Sequence, residues 1–356
     1  MILKEIRYSY NDLTIIPKTV TRISSRSECN PFYLNGMLPI FTAPMSTVVN
    51  MQNIHTFMDN SIIPIVPRNI PIENRLITVS NGHWTAFSLK EFEEYFIKDR
   101  SKLKVRNTYK VCVDLANGHM NKLYNLCTKA KNLSEDYKLI IMTGNIANPS
   151  TYRYLCSLHD NFGDLVIDYI RLSIGSGSQC LTTSNVGIHY PIASLIDECR
   201  KIWRPDKPKI IADGGIRNYS DVIKALALGA DYVMIGGLFA GLYESASPLL
   251  NALKEETYTG ITEEDKRKQL ASENYFKECY GMSTKKAQQL IGKSNKTSEG
   301  KCSYIPVKYT LQQWTENMVD YLKSAMSYCD AKDLKEFIGN QTLIPNSVGE
   351  LNAVNK

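Results

Sequence analysis

The sequence lacks the cysteine and histidine patterns that build disulfide frameworks and zinc sites. Its nine cysteines form no Cys-x-x-Cys pair, and none of its five histidines clusters with them. An odd number of cysteines without such spacing argues against disulfide pairing and zinc ligation, and it favours a reducing compartment. We therefore expect a cytoplasmic protein.

The sequence also has no long apolar run and no block of like charge. No apolar stretch approaches the roughly 18 residues of a membrane-spanning helix, and the opening MILKEIRYSYNDL has no signal-peptide core. Lysine and arginine are scattered despite a net charge of +6, and the longest basic block is KRK at 266–268. These features argue against membrane and nucleic-acid partners, while the positive charge is compatible with an anionic substrate.

What the sequence does contain is a repeated alternation of short apolar runs and helical segments. Eight β-branched, apolar runs span 39–45, 62–68, 75–80, 110–116, 138–145, 169–175, 209–215 and 232–237. The clearest helical segment, 220–230, has Ser220 at the N-cap position and Gly229 at its end. Strands alternating with helices predict an α/β fold, a closed parallel (β/α)8 TIM barrel in a single domain spanning 1–356.

Two segments fall outside this repeat. Residues 1–38 precede the first predicted strand and form an N-terminal arm. Residues 251–308, rich in Lys, Glu, Ser and Thr, follow the eighth strand and precede a last helix near 311–328. An insertion of this length after a barrel strand is usually functional, so we predict a mobile lid.

Glycine pairs follow the seventh and eighth predicted strands, in IADGG and MIGG. The C-terminal strand ends of a TIM barrel share the face that carries the active site, and the last two strands usually hold a phosphate there. Exposed backbone N–H groups in such turns bind phosphate oxygens. We therefore predict a phosphate site at Gly214, Gly215, Gly236 and Gly237; the alternative is that these glycines only permit tight turns.

Cys180 lies in SIGSGSQCLTTSN, after two glycines and before three hydroxyl side chains. A glycine-rich strand end offers an open face and amide dipoles, which favour a nucleophilic thiolate, and Thr182 and Thr183 supply hydroxyls that hold or pass protons. A free cysteine is more often a small buried apolar residue, and we assign that role to the other eight. Asp114 and Glu299 also have structural alternatives, as a helix cap and as part of a solvated turn.

Several motifs together resemble the IMP dehydrogenase and GMP reductase family. They are, in chain order, LTIIPK, SSRSE, APMSTV, VDLANG, MTGN, IGSGSQCLT, DGGI, a GG pair followed by FAG, YGMS and SEGK. The resemblance implies that Cys180 attacks C2 of a purine mononucleotide and forms a thioimidate, while a hydride is exchanged between C2 and a nicotinamide. Only NIPIEN separates the second and third predicted strands, which implies that no regulatory CBS-type insertion is present.

The resemblance also assigns roles to individual residues. The implied catalytic residues are Cys180, Thr182 and Glu299. The implied substrate-binding residues are Ser178, Asp213 (for the ribose), Gly214, Gly215, Gly236, Gly237, Gly281, Met282, Ser283, Lys296, Ser298 and Gly300. The implied cofactor-binding residues are Ser25, Arg26, Arg68, Asp114, Leu115, Ala116, Ile174, Met282, Ser324 and Ser327. Gly175, Gly177, Cys180 and Thr183 match a loop that binds a monovalent cation, K⁺.

The lid segment distinguishes the two branches of the family. Dehydrogenases use an Arg–Tyr pair in the lid to activate water, and residues 278–301 contain no such pair. The segment around SEGK resembles the reductase lid, in which the glutamate matching Glu299 works with Thr182 to protonate and expel ammonia. The resemblance favours reduction of GMP to IMP by NADPH, with NADH as an alternative cofactor. Conversion of IMP to XMP with NAD, and a non-catalytic purine-nucleotide-binding protein, stay open.

The sequence departs from the family pattern at four places. Ser176 and Ser46 replace a proline and an aspartate, Pro67–Arg68 replaces a His–Lys pair, and VSNGH replaces a longer glycine-rich loop after the third predicted strand. Arg68 suits a cofactor phosphate, which agrees with NADPH. Family members also assemble as homotetramers in which a neighbour completes the cofactor site, and Ser324 to Ser327 match that segment.

Overall fold

Parallel strands form a sheet at the centre of the molecule. The structure, a computed structural model, describes residues 5–177, 180–281, 284–292 and 300–347. The strands are β1 (Leu13–Ile15), β2 (Ile40–Thr42), β3 (Thr85–Phe87), β4 (Thr108–Asp114), β5 (Lys138–Ile146), β6 (Tyr169–Leu172), β7 (Lys209–Asp213), β8 (Tyr232–Ile235), β9 (Tyr275–Tyr280), β10 (Cys302–Val307) and β11 (Leu343–Pro345). β2 to β8 form the central sheet in the order β2-β8-β7-β6-β5-β4-β3.

The extended segment 62–66 closes this sheet into a ring between β2 and β3. Ile63 pairs with Phe41 of β2, and Val66 pairs with Thr85 of β3, both in parallel. The Thr42 N–H donates to the Ile63 carbonyl (3.0 Å), and the Ala86 N–H donates to the Val66 carbonyl (2.8 Å). Eight parallel segments therefore surround one axis, and the predicted (β/α)8 barrel is confirmed.

Helices follow most of the strands. They are α1 (Ile54–Asp59), α2 (Ile72–Ser80), α3 (Leu89–Glu93), α4 (Asn121–Asn132), α5 (Pro149–Leu155), α6 (Thr182–Val186), α7 (Ile192–Arg200), α8 (Tyr219–Leu228), α9 (Gly237–Ala240), α10 (Glu263–Ser272), α11 (Lys285–Leu290), α12 (Leu311–Tyr328) and α13 (Leu334–Phe337). Asn218, and not Ser220, caps α8, because its side chain accepts a hydrogen bond from the Asp221 N–H (3.0 Å). Gly229 (φ 114°) ends α8 as predicted. None of the helices in the described ranges has the length and hydropathy to cross a membrane.

The predicted third strand is wrong. Residues 75–80 belong to α2, in which buried Arg75, Leu76 and Val79 recur at helical spacing while Ile77 is 62% exposed. This helix begins directly after Pro71, and proline is common at helix starts. The third barrel strand is the three-residue β3, so VSNGH precedes that strand instead of following it.

The barrel interior changes from aromatic to charged along the strands. Tyr169 and Tyr232, at the starts of β6 and β8, pack against Phe41 with ring centroids 6.2 and 5.0 Å apart. Inward-facing side chains alternate along a strand, so the inward position two residues after Tyr169 is Arg171. Asp213 ends β7, and Arg171 Nη2 reaches its carboxylate at 2.8 Å. The aromatic rings therefore fill the N-terminal end of the barrel, and charged groups lie at its C-terminal mouth.

The arm and the insertion both contain antiparallel strand pairs. β1 in the arm pairs with β11, with Leu13 opposite Pro345. In the insertion, β9 pairs with β10 over six residues, from Tyr275 opposite Val307 to Tyr280 opposite Cys302. The described part of the insertion is thus a two-stranded ribbon accompanied by α10 and α11. That it moves as a lid stays a prediction.

A buried lysine attaches this ribbon to the barrel. Lys277 of β9 is 2% exposed, and its ammonium group donates to the carbonyls of Ser245 (2.8 Å) and Ser247 (2.5 Å), in the segment after α9. Burial lowers the pKa of Lys277 from 10.5 to about 8, and the nearby charge of Glu244 only partly opposes this shift.

We expect Lys277 to make the stability of the protein rise with pH above neutrality. Between pH 8 and 10.5 the unfolded chain binds a proton at Lys277 that the folded chain has released. The cost of burying the charged lysine, up to about 3 kcal/mol, is therefore fully present below pH 8 and relieved as pH rises. The measurement is the free energy of unfolding of the wild type minus that of Lys277→Met, taken across this range. Parallel pH profiles for the two proteins would refute the expectation.

Candidate active site

Cys180 lies on the loop that follows β6, at the C-terminal face of the barrel. Its backbone N–H donates to the Gly177 carbonyl (2.9 Å), and Gly175 turns the chain with a φ of 79°, which glycine adopts without strain. The Cys180 side chain is half-buried, whereas seven other cysteines are buried. Cys302 is exposed, so the prediction that all eight other cysteines are buried is wrong there. Alternate residues of the β10 ribbon strand face solvent, and Cys302 is one of them.

The Cys180 thiol has a hydroxyl neighbour. It donates a hydrogen bond to Thr182 Oγ1 at 3.2 Å, and Thr182 is the first residue of α6. The backbone of Cys180 also pairs with Gly300 in an antiparallel bridge, so the end of the insertion reaches the thiol loop. A thiol and a hydroxyl in contact, beside an insertion, are suited to proton transfer at a bound ligand.

A pocket at the barrel mouth brings together six of the seven predicted substrate-binding residues that the structure describes. Its lining consists of Cys180 and Gly177 with Asp213, Gly214, Gly215, Gly236, Gly237, Gly281, Ala43, Met45, Ile216 and Met234. Six implied substrate contacts from three separate loops therefore share one pocket with the thiol. Ser178, Met282, Ser283, Lys296, Ser298 and Glu299 lie outside the described residues.

Two glycines after β7 shape the wall of this pocket. Gly214 and Gly215 have φ values of 100° and 75°, which side-chain-bearing residues rarely adopt. The Gly215 N–H donates to the Ser176 carbonyl (3.0 Å), so this amide also ties the β7 turn to the Cys180 loop. Gly237 begins the short helix α9 on the neighbouring strand end. The two turns therefore line the same pocket as the Cys180 loop.

A buried network of charged side chains forms the floor of the site. The Arg171 guanidinium reaches Asp114 Oδ1 (2.7 Å) and Asp213 Oδ2 (2.8 and 2.9 Å). Arg68 Nε donates to the other Asp114 oxygen (3.0 Å), and Asn145 Nδ2 donates to Asp213 Oδ2 (2.6 Å). Burial alone would raise the pKa of Asp114, but the positive charges of Arg68 and Arg171 outweigh it and lower that pKa. The Asp114 carboxylate is therefore held ionised inside the barrel.

The predicted cofactor-binding residues fall into two groups. Arg68 and Asp114 lie in the buried network, and Leu115 and the exposed Ala116 continue from Asp114 along the rim, while Ile174 precedes the thiol loop. A charged pair beside an accessible apolar rim is compatible with a nicotinamide nucleoside.

The second group lies between the arm and α12. Arg26 contacts Ser324 Oγ (3.5 Å) and Asp320 (3.3 Å), Ser327 Oγ donates to the Ser324 carbonyl (2.7 Å), and Ser25 caps the short 3₁₀ helix that starts at Arg26. These residues are not part of the lining of the Cys180 pocket. They form a separate polar surface of this chain.

The loop assigned to a monovalent cation offers carbonyl and hydroxyl oxygens that could act as metal ligands. The Gly175 carbonyl accepts from Thr183 Oγ1 (3.1 Å), and the Gly177 carbonyl accepts from the Cys180 N–H. Ser176 Oγ, in the same loop, is buried and has no hydrogen-bond partner among the described residues. Carbonyl and hydroxyl oxygens suit a hard cation, so the donor set fits K⁺.

Sequence reasoning missed Arg171 and Asn145. The signal was available for Arg171, because YIRLSIG places an arginine inside an otherwise apolar strand, and such a residue is rarely buried without a partner. Asn145 ends the MTGN motif directly after β5 residue Gly144, and no pattern in the chain identified its partner.

Comparisons with known proteins agree with this geometry. The family model described as IMP dehydrogenase / GMP reductase domain matches residues 7–351. A protein named GMP reductase from Staphylococcus epidermidis is 30% identical over 341 residues, which cover 92% of this chain and 93% of that protein. A GMP reductase from Staphylococcus aureus is 30% identical over 342 residues, with the same two shares covered. The chain therefore belongs to the IMP dehydrogenase and GMP reductase family of purine nucleotide oxidoreductases.

Proposed function

We propose that this protein is a GMP reductase that converts GMP to IMP and ammonia with NADPH. The observation that carries the proposal is the half-buried Cys180 thiol, which donates a hydrogen bond to Thr182. The pocket that contains this thiol is also lined by Asp213 and by the four glycines that follow β7 and β8. The relatives named GMP reductase support the same branch. No Arg–Tyr pair for water activation is present in residues 278–301, which also favours the reductase.

The nucleotide would be held at its two ends. The glycine turns at Gly214–Gly215 and Gly236–Gly237 approach the 5′-phosphate with backbone groups, and Asp213 accepts hydrogen bonds from ribose hydroxyls. The base would extend toward Gly281 and Cys180. This arrangement places C2 of the purine near the sulfur, which converts a bimolecular attack into a step within one complex.

The chemistry then proceeds at C2 through the sulfur of Cys180. The thiolate bonds to C2, the C2–N bond breaks, and the amine leaves as ammonia after accepting a proton, which gives a thioimidate. Thr182 and Glu299 would deliver that proton. Bound NADPH supplies the hydride that C2 then receives. The C–S bond breaks, IMP leaves, and Cys180 returns as the thiolate.

The monovalent cation would be held by the carbonyls of Gly175, Gly177 and Cys180, with the Thr183 hydroxyl beside them. Its contribution would be to order the loop that carries the nucleophile. We further propose that the active form is a homotetramer. In it, Ser324 and Ser327 of one protomer, with Ser25 and Arg26, would complete the cofactor site of a neighbour.

Two parallel assays test the proposal. In the first, GMP and NADPH are supplied and ammonia and NADPH consumption are measured; in the second, IMP and NAD⁺ are supplied and NADH formation is measured. We expect turnover in the first assay and none in the second. NADH formation in the second assay alone would identify a dehydrogenase, and GMP binding without turnover in either would identify a non-catalytic binding protein.

A further inference from the structure

Arg171 is the only side chain in the described residues that contacts both carboxylates at the barrel mouth, the buried Asp114 and the half-buried Asp213. It lies on β6, is 7% exposed, and reaches Asp114 at the end of β4 and Asp213 at the end of β7. These carboxylates belong, in the proposed function, to the two sides of the active site. Asp213 would bind the substrate ribose, and Asp114 would bind the nicotinamide end of the cofactor.

The contacts at Asp213 are one-sided. Arg171 Nε and Nη2 and Asn145 Nδ2 all donate to Oδ2, at 2.9, 2.8 and 2.6 Å. Within the described ranges, every hydrogen bond to this carboxylate falls on Oδ2, although Asp213 lines the Cys180 pocket. Three donors on one oxygen fix the plane of the carboxylate, so that Oδ1 is presented to a ligand as an oriented acceptor.

The contacts at Asp114 involve the same guanidinium. Arg171 Nη1 donates to Asp114 Oδ1 (2.7 Å), and Arg68 Nε holds Oδ2 (3.0 Å). A guanidinium is planar and rigid, so a rotation that improves the bond to one carboxylate moves the nitrogens that hold the other. The orientation of Asp114 therefore depends on the orientation of Asp213.

We propose that Arg171 is a positioning residue that couples the binding of the purine mononucleotide to the binding of the nicotinamide nucleotide. This inference rests on the proposed function. A ligand that fixes the orientation of Asp213 also fixes the orientations of Arg171 and Asp114. The second ligand therefore binds to a site whose side chains are already in position. Coupling of this kind is reciprocal, so each nucleotide increases the binding affinity of the other by the same factor.

The test is a set of equilibrium titrations on the wild-type chain and on Arg171→Lys. The lysine keeps the positive charge between the two carboxylates but has no fork to hold them both. In the wild type we expect GMP to bind at least about fivefold more tightly when NADP⁺ is saturating, a pair that cannot complete turnover because NADP⁺ has no hydride to give. In Arg171→Lys we expect this factor to fall to about one, with GMP still binding.

Arg75→Lys is the matched control. Arg75 is also buried (3% exposed) and paired with a carboxylate, Glu91, but it lies on α2 and outside the pocket. Its replacement should leave the coupling factor at the wild-type value. Circular dichroism establishes that both variants are folded.

The outcomes separate the inference from the function beneath it. If the wild type does not bind GMP at all, the proposed function is wrong. If the wild type binds GMP and NADP⁺ independently, Arg171 couples nothing and the inference is overturned, whether or not Arg171→Lys folds. The inference is also overturned if folded Arg171→Lys retains the wild-type coupling factor.

Discussion

Replacement of Cys180 with alanine is expected to reduce turnover of GMP by about 10³-fold or more, because the reaction then has no group that can bond to C2. The purine amine is a poor leaving group, and the hydride has no activated carbon to reach until the thioimidate forms. Substrate binding should survive, since we assign the phosphate and ribose contacts to the glycine turns and Asp213. The measurements are steady-state turnover and, separately, the dissociation constant for GMP.

Cys302→Ser is the control for this experiment. Cys302 is the other cysteine that is not buried, and it is exposed on β10 outside the Cys180 pocket. Its replacement should leave turnover within about twofold of the wild type, since exposed substitutions are usually well tolerated. Near-normal turnover in Cys180→Ala would rule out the covalent route.

Replacement of Glu299 with glutamine is expected to lower GMP turnover by about 10²- to 10⁴-fold, the usual range for loss of a general acid. The amide has the same shape as the carboxyl group but cannot deliver a proton to the departing amine. Glu299 itself lies outside the described residues, but its neighbour Gly300 pairs with the backbone of Cys180. The structure therefore places Gly300, the residue that follows Glu299 in the sequence, beside the Cys180 backbone.

A partial reaction separates the role of Glu299 from that of Cys180. When IMP and NADP⁺ are mixed with enzyme, the thiolate can add to C2 while hydride leaves, which produces NADPH and the thioimidate without any amine. We expect Glu299→Gln to retain this single-turnover burst of NADPH and Cys180→Ala to lose it. Equal loss of the burst in both variants would show that Glu299 does not act on the amine alone.

The sequence indicated the barrel because most of its strands are long enough to have a clear pattern. β4, β5 and β7 contain the apolar runs VCV, LIIM and IIA, each followed by a polar residue, and each strand was found within a few residues of its position. β3 has only three residues, which is too few to show any periodicity. The apolar residues of α2 resemble a short strand unless Pro71 is recognised as the start of a helix. Local pattern therefore failed where the element was short and its neighbour apolar.

The loop that carries Cys180 was predictable, but the charged floor of the candidate site was not. Cys180, Thr182 and the glycines are close in sequence or occur in recognisable motifs. The Arg171 contacts to Asp114 and Asp213 join residues 57 and 42 positions apart. They form because β7, β6, β5 and β4 are neighbours in the sheet, which brings the C-terminal ends of these strands together. The exposure of Cys302 likewise depends on which face of the ribbon meets solvent.

The most direct measurement is an experimental structure of the wild-type chain with GMP and NADP⁺ bound. We predict that C2 of the purine lies about 3–3.5 Å from the Cys180 sulfur, with the phosphate at the turns of Gly215 and Gly237. A purine bound elsewhere, or one in the pocket with C2 directed away from the sulfur, would contradict the account.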